Sequence, residues 1–158
     1  MAKPLFFFSL SLLSLLFLSL SSANLTTTTT TTTTVTAHTE LNKYGFPIGL
    51  LPKSVTSYTV NHTSGDFSVD FGGACKITLP PDNYLATFSK KVTGKIVENR
   101  IAELHGISVR AFFQWWSITG IRSSGENLVF EVGMVSAKYP SKNFDESPEC
   151  EGRRRSDS

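Results

Sequence analysis

Hydrophobic and polar positions divide the chain into stretches with different rhythms. Leu5–Leu20 is an unbroken run of Leu, Phe and Ser without a charge. Lys3 precedes it, and Ser21-Ser22-Ala23 supplies small residues where a signal peptidase reads. That order is the form of a secretory leader, so residues 1–23 are expected to be removed. The run has sixteen residues, four of them Ser, short of the ~20 apolar residues of a membrane span. Thr26–Thr34 is nine threonines with nothing to bury. Residues 24–36 are therefore expected to form a solvated, disordered linker.

Beyond the threonines the pattern becomes that of a folded domain. Val35, His38 and Leu41 recur at helical spacing, and Gly45 is placed to stop a helix. This predicts a short helix over Val35–Tyr44. Phe46-Pro47-Ile48-Gly49-Leu50-Leu51-Pro52 is a loop too apolar for solvent, and it is expected to pack on the core. After Pro52 the period is two. Val55, Ser57 and Thr59 share one face, and Thr56, Tyr58 and Val60 the other. Phe67, Val69 and Phe71 point inward, with Ser68 and Asp70 outward.

Cys75–Leu79, Tyr84–Phe88, Val92–Val97, Ser108–Ile121 and Leu128–Val135 continue the series. Asn99–His105 fits either a strand or a helical turn. Turn residues at Asn61–Gly65, Gly72-Gly73, Pro80–Asn83 and Ser123–Glu126 separate the runs. Seven or eight short strands spaced in this way predict one mostly β domain over residues 37–150. Its expected form is a small antiparallel barrel-like sheet or sandwich with a short N-terminal helix. Residues 151–158 are expected to be a disordered tail.

Charge and cysteine content narrow the function classes. The net charge of +2 lacks the clustered cations that nucleic acid requires, so no nucleic-acid partner is expected. Two cysteines are too few for a disulfide-dense scaffold or a four-thiolate zinc site. In a secreted chain Cys75 and Cys150 are expected to form one disulfide. Asn24-Leu25-Thr26 and Asn61-His62-Thr63 have the form of glycosylation acceptors. No second apolar run of spanning length follows the leader. The mature chain is thus expected to be extracellular, without a transmembrane segment.

Chemistry-bearing patterns are sparse. His38, His62 and His105 lie at no metal-ligand spacing, and Glu103-Leu104-His105 lacks the second His of a helical zinc motif. Gly106-Ile107-Ser108-Val109-Arg110 lacks the closing glycine of a nucleophile elbow. Carboxylates show no paired arrangement for acid–base work. No metal, cofactor or catalytic residue is expected, and the reading leans away from an enzyme.

Two features could still meet a ligand. In Phe112-Phe113-Gln114-Trp115-Trp116 both faces of a strand would be apolar. The first expectation is a strand buried on both sides. The alternative is that one face lines an apolar cavity, which makes Phe112, Phe113, Trp115 and Trp116 candidate ligand contacts. Lys90, Lys91 and Lys95 form a cationic edge with Arg100. A solvated sheet edge is the expected role. A contact for an anionic headgroup is the alternative, and it makes the three lysines candidate ligand residues.

Several motifs together resemble a known family. They are Tyr44-Gly45-Phe46-Pro47-Ile48-Gly49-Leu50-Leu51-Pro52, the Gly65-Asp66-Phe67 turn before Cys75, and Val92-Thr93-Gly94-Lys95-Ile96. Leu104-His105-Gly106-Ile107-Ser108-Val109-Arg110 and Phe112-Phe113-Gln114-Trp115 follow. The closing set is Phe130-Glu131-Val132-Gly133-Met134-Val135-Ser136, Tyr139-Pro140, Phe144 and Pro148-Glu149-Cys150. Over Lys43–Cys150 the chain resembles the plant family catalogued as domain of unknown function 538. The resemblance implies a small β-barrel-like domain with a preceding helix. It also implies a distant similarity to lipid-binding proteins of the bactericidal/permeability-increasing type, a link to stress responses, and no catalytic motif to carry over.

The expected function is a secreted, non-enzymatic protein that binds an amphipathic ligand such as a lipid, a lipopolysaccharide or a pigment. The alternatives are an ester hydrolase acting on such a ligand, and an apoplastic domain that interacts with the cell wall.

Overall fold

A computed structural model describes residues 36–152. The expected leader over residues 1–23, Asn24, Val35 and Arg153–Arg155 lie outside the described residues. Helix α1 spans Ala37–Lys43 and begins with a capping box. Thr36 Oγ1 accepts from the Thr39 N–H at 3.2 Å, and Thr39 Oγ1 accepts from the Thr36 N–H at 2.9 Å. Two N–H groups that a helix start leaves open are thereby satisfied. Ala37 and Leu41, one turn apart, are buried. Glu40 is also buried and is paired with Lys43 Nζ at 2.8 Å. His38 is only half-buried, with Nε2 3.1 Å from the Pro52 carbonyl oxygen.

The apolar loop packs inward as its composition requires: Phe46, Leu50 and Leu51 all join the core. Gly49 has no side chain to spare, because a Cβ there would collide with the backbone of Phe144 and Glu146.

Nine antiparallel strands make one sheet: β1 Val55–Val60, β2 Asp66–Phe71, β3 Cys75–Leu79, β4 Tyr84–Val97, β5 Arg100–Ala111, β6 Gln114–Ser117, β7 Gly120–Ser124, β8 Asn127–Val132 and β9 Val135–Pro140. The path is β1-β2-β4-β5-β7-β8-β9, with β3 added to β4 and β6 to β5. The fold is therefore mostly β and antiparallel with a short N-terminal helix. The two ends of the path do not pair with each other, so the sheet is not a closed barrel.

Most strand boundaries follow the period-two pattern, but Tyr84–Phe88 and Val92–Val97 belong to the one strand β4, and three further departures stand out. The stretch Ser108–Ile121 is not one strand. It turns back at Phe112-Phe113 and is divided among β5, β6 and β7. Leu128–Val135 likewise turns at Gly133-Met134, and β9 follows it. In β1, pairing with β2 slips between Val55 and Ser57. The slip puts Val55 on the core side with Tyr58 and Val60, not opposite them.

The largest irregularity lies between β4 and β5. Phe88 pairs with Ile107, but the next pair is Thr93 with His105, so Ser89–Val92 bulge out of register. Gly106 faces this bulge at φ +97°, and a Cβ there would lie 2.5 Å from the Lys91 carbonyl oxygen. Across the bulge β4 changes its second neighbour from β3 to β2. Likewise β5 changes its second neighbour from β6 to β7. Bulges of this kind bend the strands that carry them.

Phe71, Phe88, Val92 and Leu128 lie at the centre of the core, and Phe71 and Phe88 meet edge to face at 5.7 Å. Each such side chain contributes roughly 1.5–3 kcal/mol by burial.

The C-terminal segment clasps the two sides of the chain. The Lys53 N–H donates to the Pro148 carbonyl at 2.9 Å, and the Glu151 N–H to the Lys76 carbonyl at 2.7 Å. Between these contacts Cys150 is disulfide-bonded to Cys75, 75 residues away. Replacing both cysteines by Ser should lower unfolding stability by roughly 4 kcal/mol, from the loop-closure entropy returned to the unfolded chain. Denaturant midpoints of the oxidised protein and the double variant measure this. A change below about 1 kcal/mol would show that the hydrogen bonds alone hold the clasp.

Candidate functional site

Two hairpins lie at one end of the sheet. Strands β5 and β8 each run antiparallel to β7, so they run in the same direction. Each ends in a two-residue turn, Phe112-Phe113 after β5 and Gly133-Met134 after β8. Their inward faces bound a cavity of about 510 Å³. Val109, Ala111, Phe112 and Trp116 line it from the first hairpin. Val132, Val135, Ala137 and Tyr139 line it from the second. Buried Ile118, Phe130 and Phe144 form its floor. Phe130 packs against Phe144 at 5.4 Å and against Tyr139 at 6.0 Å between ring centroids.

Polar groups in the lining are few. Tyr84 and Tyr139 bring hydroxyls, and among the described residues no charged side chain lines the cavity. Burial pushes the Tyr139 phenol above its ordinary value, with further upward contributions from Tyr84 and Asp82. It therefore stays neutral and able to donate a hydrogen bond. The Trp116 indole N–H donates to the Ala111 carbonyl across the hairpin at 3.2 Å, so the ring meets the cavity without an open donor. Such a site can hold an apolar body and meet one polar end with a hydroxyl. Its volume falls within the ~300–1,000 Å³ usual for small-molecule pockets.

The opposite half of the core is filled. Beneath α1 the residual void is about 60 Å³, bounded by Leu41, Leu50, Phe67 and their neighbours.

The structure divides the residues singled out from the sequence. Phe112 and Trp116 share the cavity, one from the turn and the other from β6. Phe113 and Trp115 lie outside it. None of the four is buried: they are 88%, 94%, 49% and 40% exposed for Phe112, Phe113, Trp115 and Trp116. The expected doubly buried strand is thus a hairpin tip. Phe112 and Phe113 occupy the turn with φ 50° and 66°.

The lysines are elsewhere. Lys91 Nζ is 3.5 Å from Asp70 Oδ1, and Lys95 Nζ is 3.4 Å from Glu103 Oε1. Lys90 is exposed in the β4 bulge. It is six residues from Tyr84, or about 20 Å along an extended strand. Among the described residues no histidine lines the cavity, and His62 Nδ1 lies 3.0 Å from the Tyr44 hydroxyl. Asn61 is exposed in a turn, where its side-chain oxygen accepts from the Thr63 N–H at 2.9 Å. Among the described residues no cluster of three or more His, Cys, Asp or Glu could hold a metal ion.

Sequence reasoning missed the second wall. Val135, Ala137 and Tyr139 alternate with Ser136 and Lys138, a strand signal that the preceding Gly133 turn would have released.

Two measurements follow from this geometry. A left-handed backbone costs a residue with a side chain about 1–2 kcal/mol, and Asn-Gly suits a two-residue hairpin turn. The variant Phe112→Asn with Phe113→Gly should therefore be more stable by about 1–2 kcal/mol, seen as a higher denaturant midpoint. A lower midpoint would mean that the two rings stabilise the turn. Tyr139 gives a pH dependence. Its folded value lies above its ordinary value of 10.0, so its contribution is complete below pH 10.0 and lost as pH rises through the folded value. Tyr139→Phe should flatten the alkaline fall of the melting temperature, and an unchanged fall would remove Tyr139 as its source.

No curated protein matches the chain. The family model described as "Protein of unknown function, DUF538" matches residues 37–145, which take in α1, all nine strands and the cavity wall up to Phe144. On that match the chain belongs to the DUF538 family of proteins of unknown function.

Proposed function

We propose that this protein is a secreted, non-enzymatic carrier that binds an amphipathic small molecule, with its apolar body between the two hairpins. One observation carries the reading: a cavity of about 510 Å³ lined by aromatic and aliphatic side chains, with two phenol hydroxyls and, among the described residues, no charge. Apolar surface left open to water is unfavourable by roughly 25 cal/mol per Å², and a ligand of matching shape removes it. Tyr84 and Tyr139 are the groups available to a polar end. Lys90, Lys91 and Lys95 have no part in this version, because they lie away from the lining. The Cys75–Cys150 disulfide is compatible with the secretory route that the leader implies.

A fluorescent acyl-chain probe tests the reading. Ala137→Trp places an indole inside the cavity, and Trp116→Ala removes a wall. Each should weaken probe binding at least tenfold while the far-ultraviolet circular dichroism stays that of the parent. Unchanged affinity in both folded variants would overturn the proposal.

A further inference from the structure

The cavity does not account for the outermost residues around it. Phe113 and Met134 do not line it, yet they stand at the apices of the two hairpins, almost fully exposed. Phe112 and Val135 beside them are also largely exposed. Single exposed apolar residues are ordinary on a protein surface. Four at adjacent turns of one sheet end make a patch, and a patch marks an interaction surface. The fold gives no reason for Phe at 112 and 113. Both have positive φ, where a small or polar residue would fit more easily.

What lies behind the apices identifies the partner. Trp115 is two residues behind Phe113, about 7 Å along the strand. Its cross-strand partner is Arg110, which is exposed. Both side chains alternate with the cavity-lining positions 109, 111 and 116, so they belong to the outer face. From the tip inward, phenylalanine therefore comes first, and tryptophan and arginine follow side by side at one level. This order matches the depth profile of a lipid–water interface. Hydrocarbon takes the apex, Trp sits at the headgroup level, and the long Arg stem lets its charge reach water. Amphipathic elements bury about 5–10 Å into this region, the span between Phe113 and Trp115. The charge pattern agrees. Val109–Ile118 has one cation and no carboxylate, and Val132–Ala137 has no charge at all. Asp82, in the turn between β3 and β4, lies near enough to Tyr139 to act on its phenol.

We infer that the paired tips Phe112-Phe113 and Met134-Val135 dock the protein on the surface of a lipid bilayer, inserting shallowly, with the cavity mouth against the membrane. The contact is driven by apolar burial and not by charge, so a zwitterionic bilayer suffices. This docking does not depend on the carrier reading, because Phe113 and Met134 are not cavity residues.

The chain reports on this surface by itself. Its two tryptophans, Trp115 and Trp116, both lie on β6. Tryptophan emission of the full chain is followed with phosphatidylcholine vesicles, some brominated near the headgroup end of their acyl chains. The expected result is a blue shift, with quenching by the shallow bromines that persists at high salt. The double variant Phe113→Asp with Met134→Asp should need more than tenfold more lipid for the same quenching. It should still bind the acyl-chain probe in the absence of vesicles.

Unchanged tryptophan emission would overturn the inference even if the chain pellets with vesicles, since that would place the leader in the membrane and leave the tips in water. Binding that requires anionic lipid and disappears in salt would overturn it as well. A blue shift without lipid that rises with protein concentration, together with a dimer in sedimentation, would assign the tips to a second copy instead. Loss of probe binding in Ala137→Trp with vesicle quenching intact would separate the two sites. Failure of the probe experiment alone would leave the docking result standing.

Discussion

The shape of this domain depends on one interruption in its longest strand pair. Strands β4 and β5 could run together for their whole length, but Ser89–Val92 bulge against Gly106 and the register breaks. Only a residue without a Cβ can hold that close approach to Lys91 at positive φ. Past the bulge both strands take new neighbours, so one long pair serves two halves of the sheet. One half meets α1 and the Phe46–Leu51 loop and is filled. The other is met not by α1 but by the short 3-10 turn Ser141–Phe144, whose Phe144 floors the cavity. The two hairpins of that half lean over a space of about 510 Å³. Filled and open halves are thus consequences of where the plugging residues run out along the chain.

Much of this was legible in the sequence, for a physical reason. Period-two alternation records burial on one face, so β1, β2 and β3 could be placed within a residue from Val55–Val60, Phe67–Phe71 and Cys75–Leu79. The greasy loop and the Gly45 stop were legible for the same reason. The hairpin tip was not. Turns are usually announced by Gly, Asn, Asp or Pro, whose backbones tolerate the conformation. Phe112-Phe113 has the pattern of a strand instead, so periodicity places it in the middle of one. The burial of Glu40 beneath α1 was also hidden. A carboxylate is seldom placed inside unless a partner is close, and Lys43 is close only once the helix has formed.

Candidate site residues divided along the same line. Phe112 and Trp116 both line the cavity, but one does so from the turn and the other from β6, so alternation along a single strand is not what brings them together. It could not show that Tyr84, Tyr139 and Phe144 join them, because those contacts cross most of the domain. Local charge density drew attention to Lys90, Lys91 and Lys95. Density along the chain says nothing about distance to a cavity, and two of the three have carboxylate neighbours in the sheet. The feature that breaks a local rule, two phenylalanines in a left-handed turn, is the one that points to a partner. Natural sequences tend to spend local consistency at functional places.

The clasp at the C-terminus carries a further consequence. Phe144, which floors the cavity, lies six residues before Cys150, and Gly49 packs directly beneath its backbone. The segment that carries this floor is tied down at its far end by the bond to Cys75 and by hydrogen bonds from Lys53 and Glu151. Oxidation of the two thiols therefore does more than shorten the unfolded chain. It also anchors the segment that carries Phe144, so fastening Cys150 helps to hold the cavity floor in place.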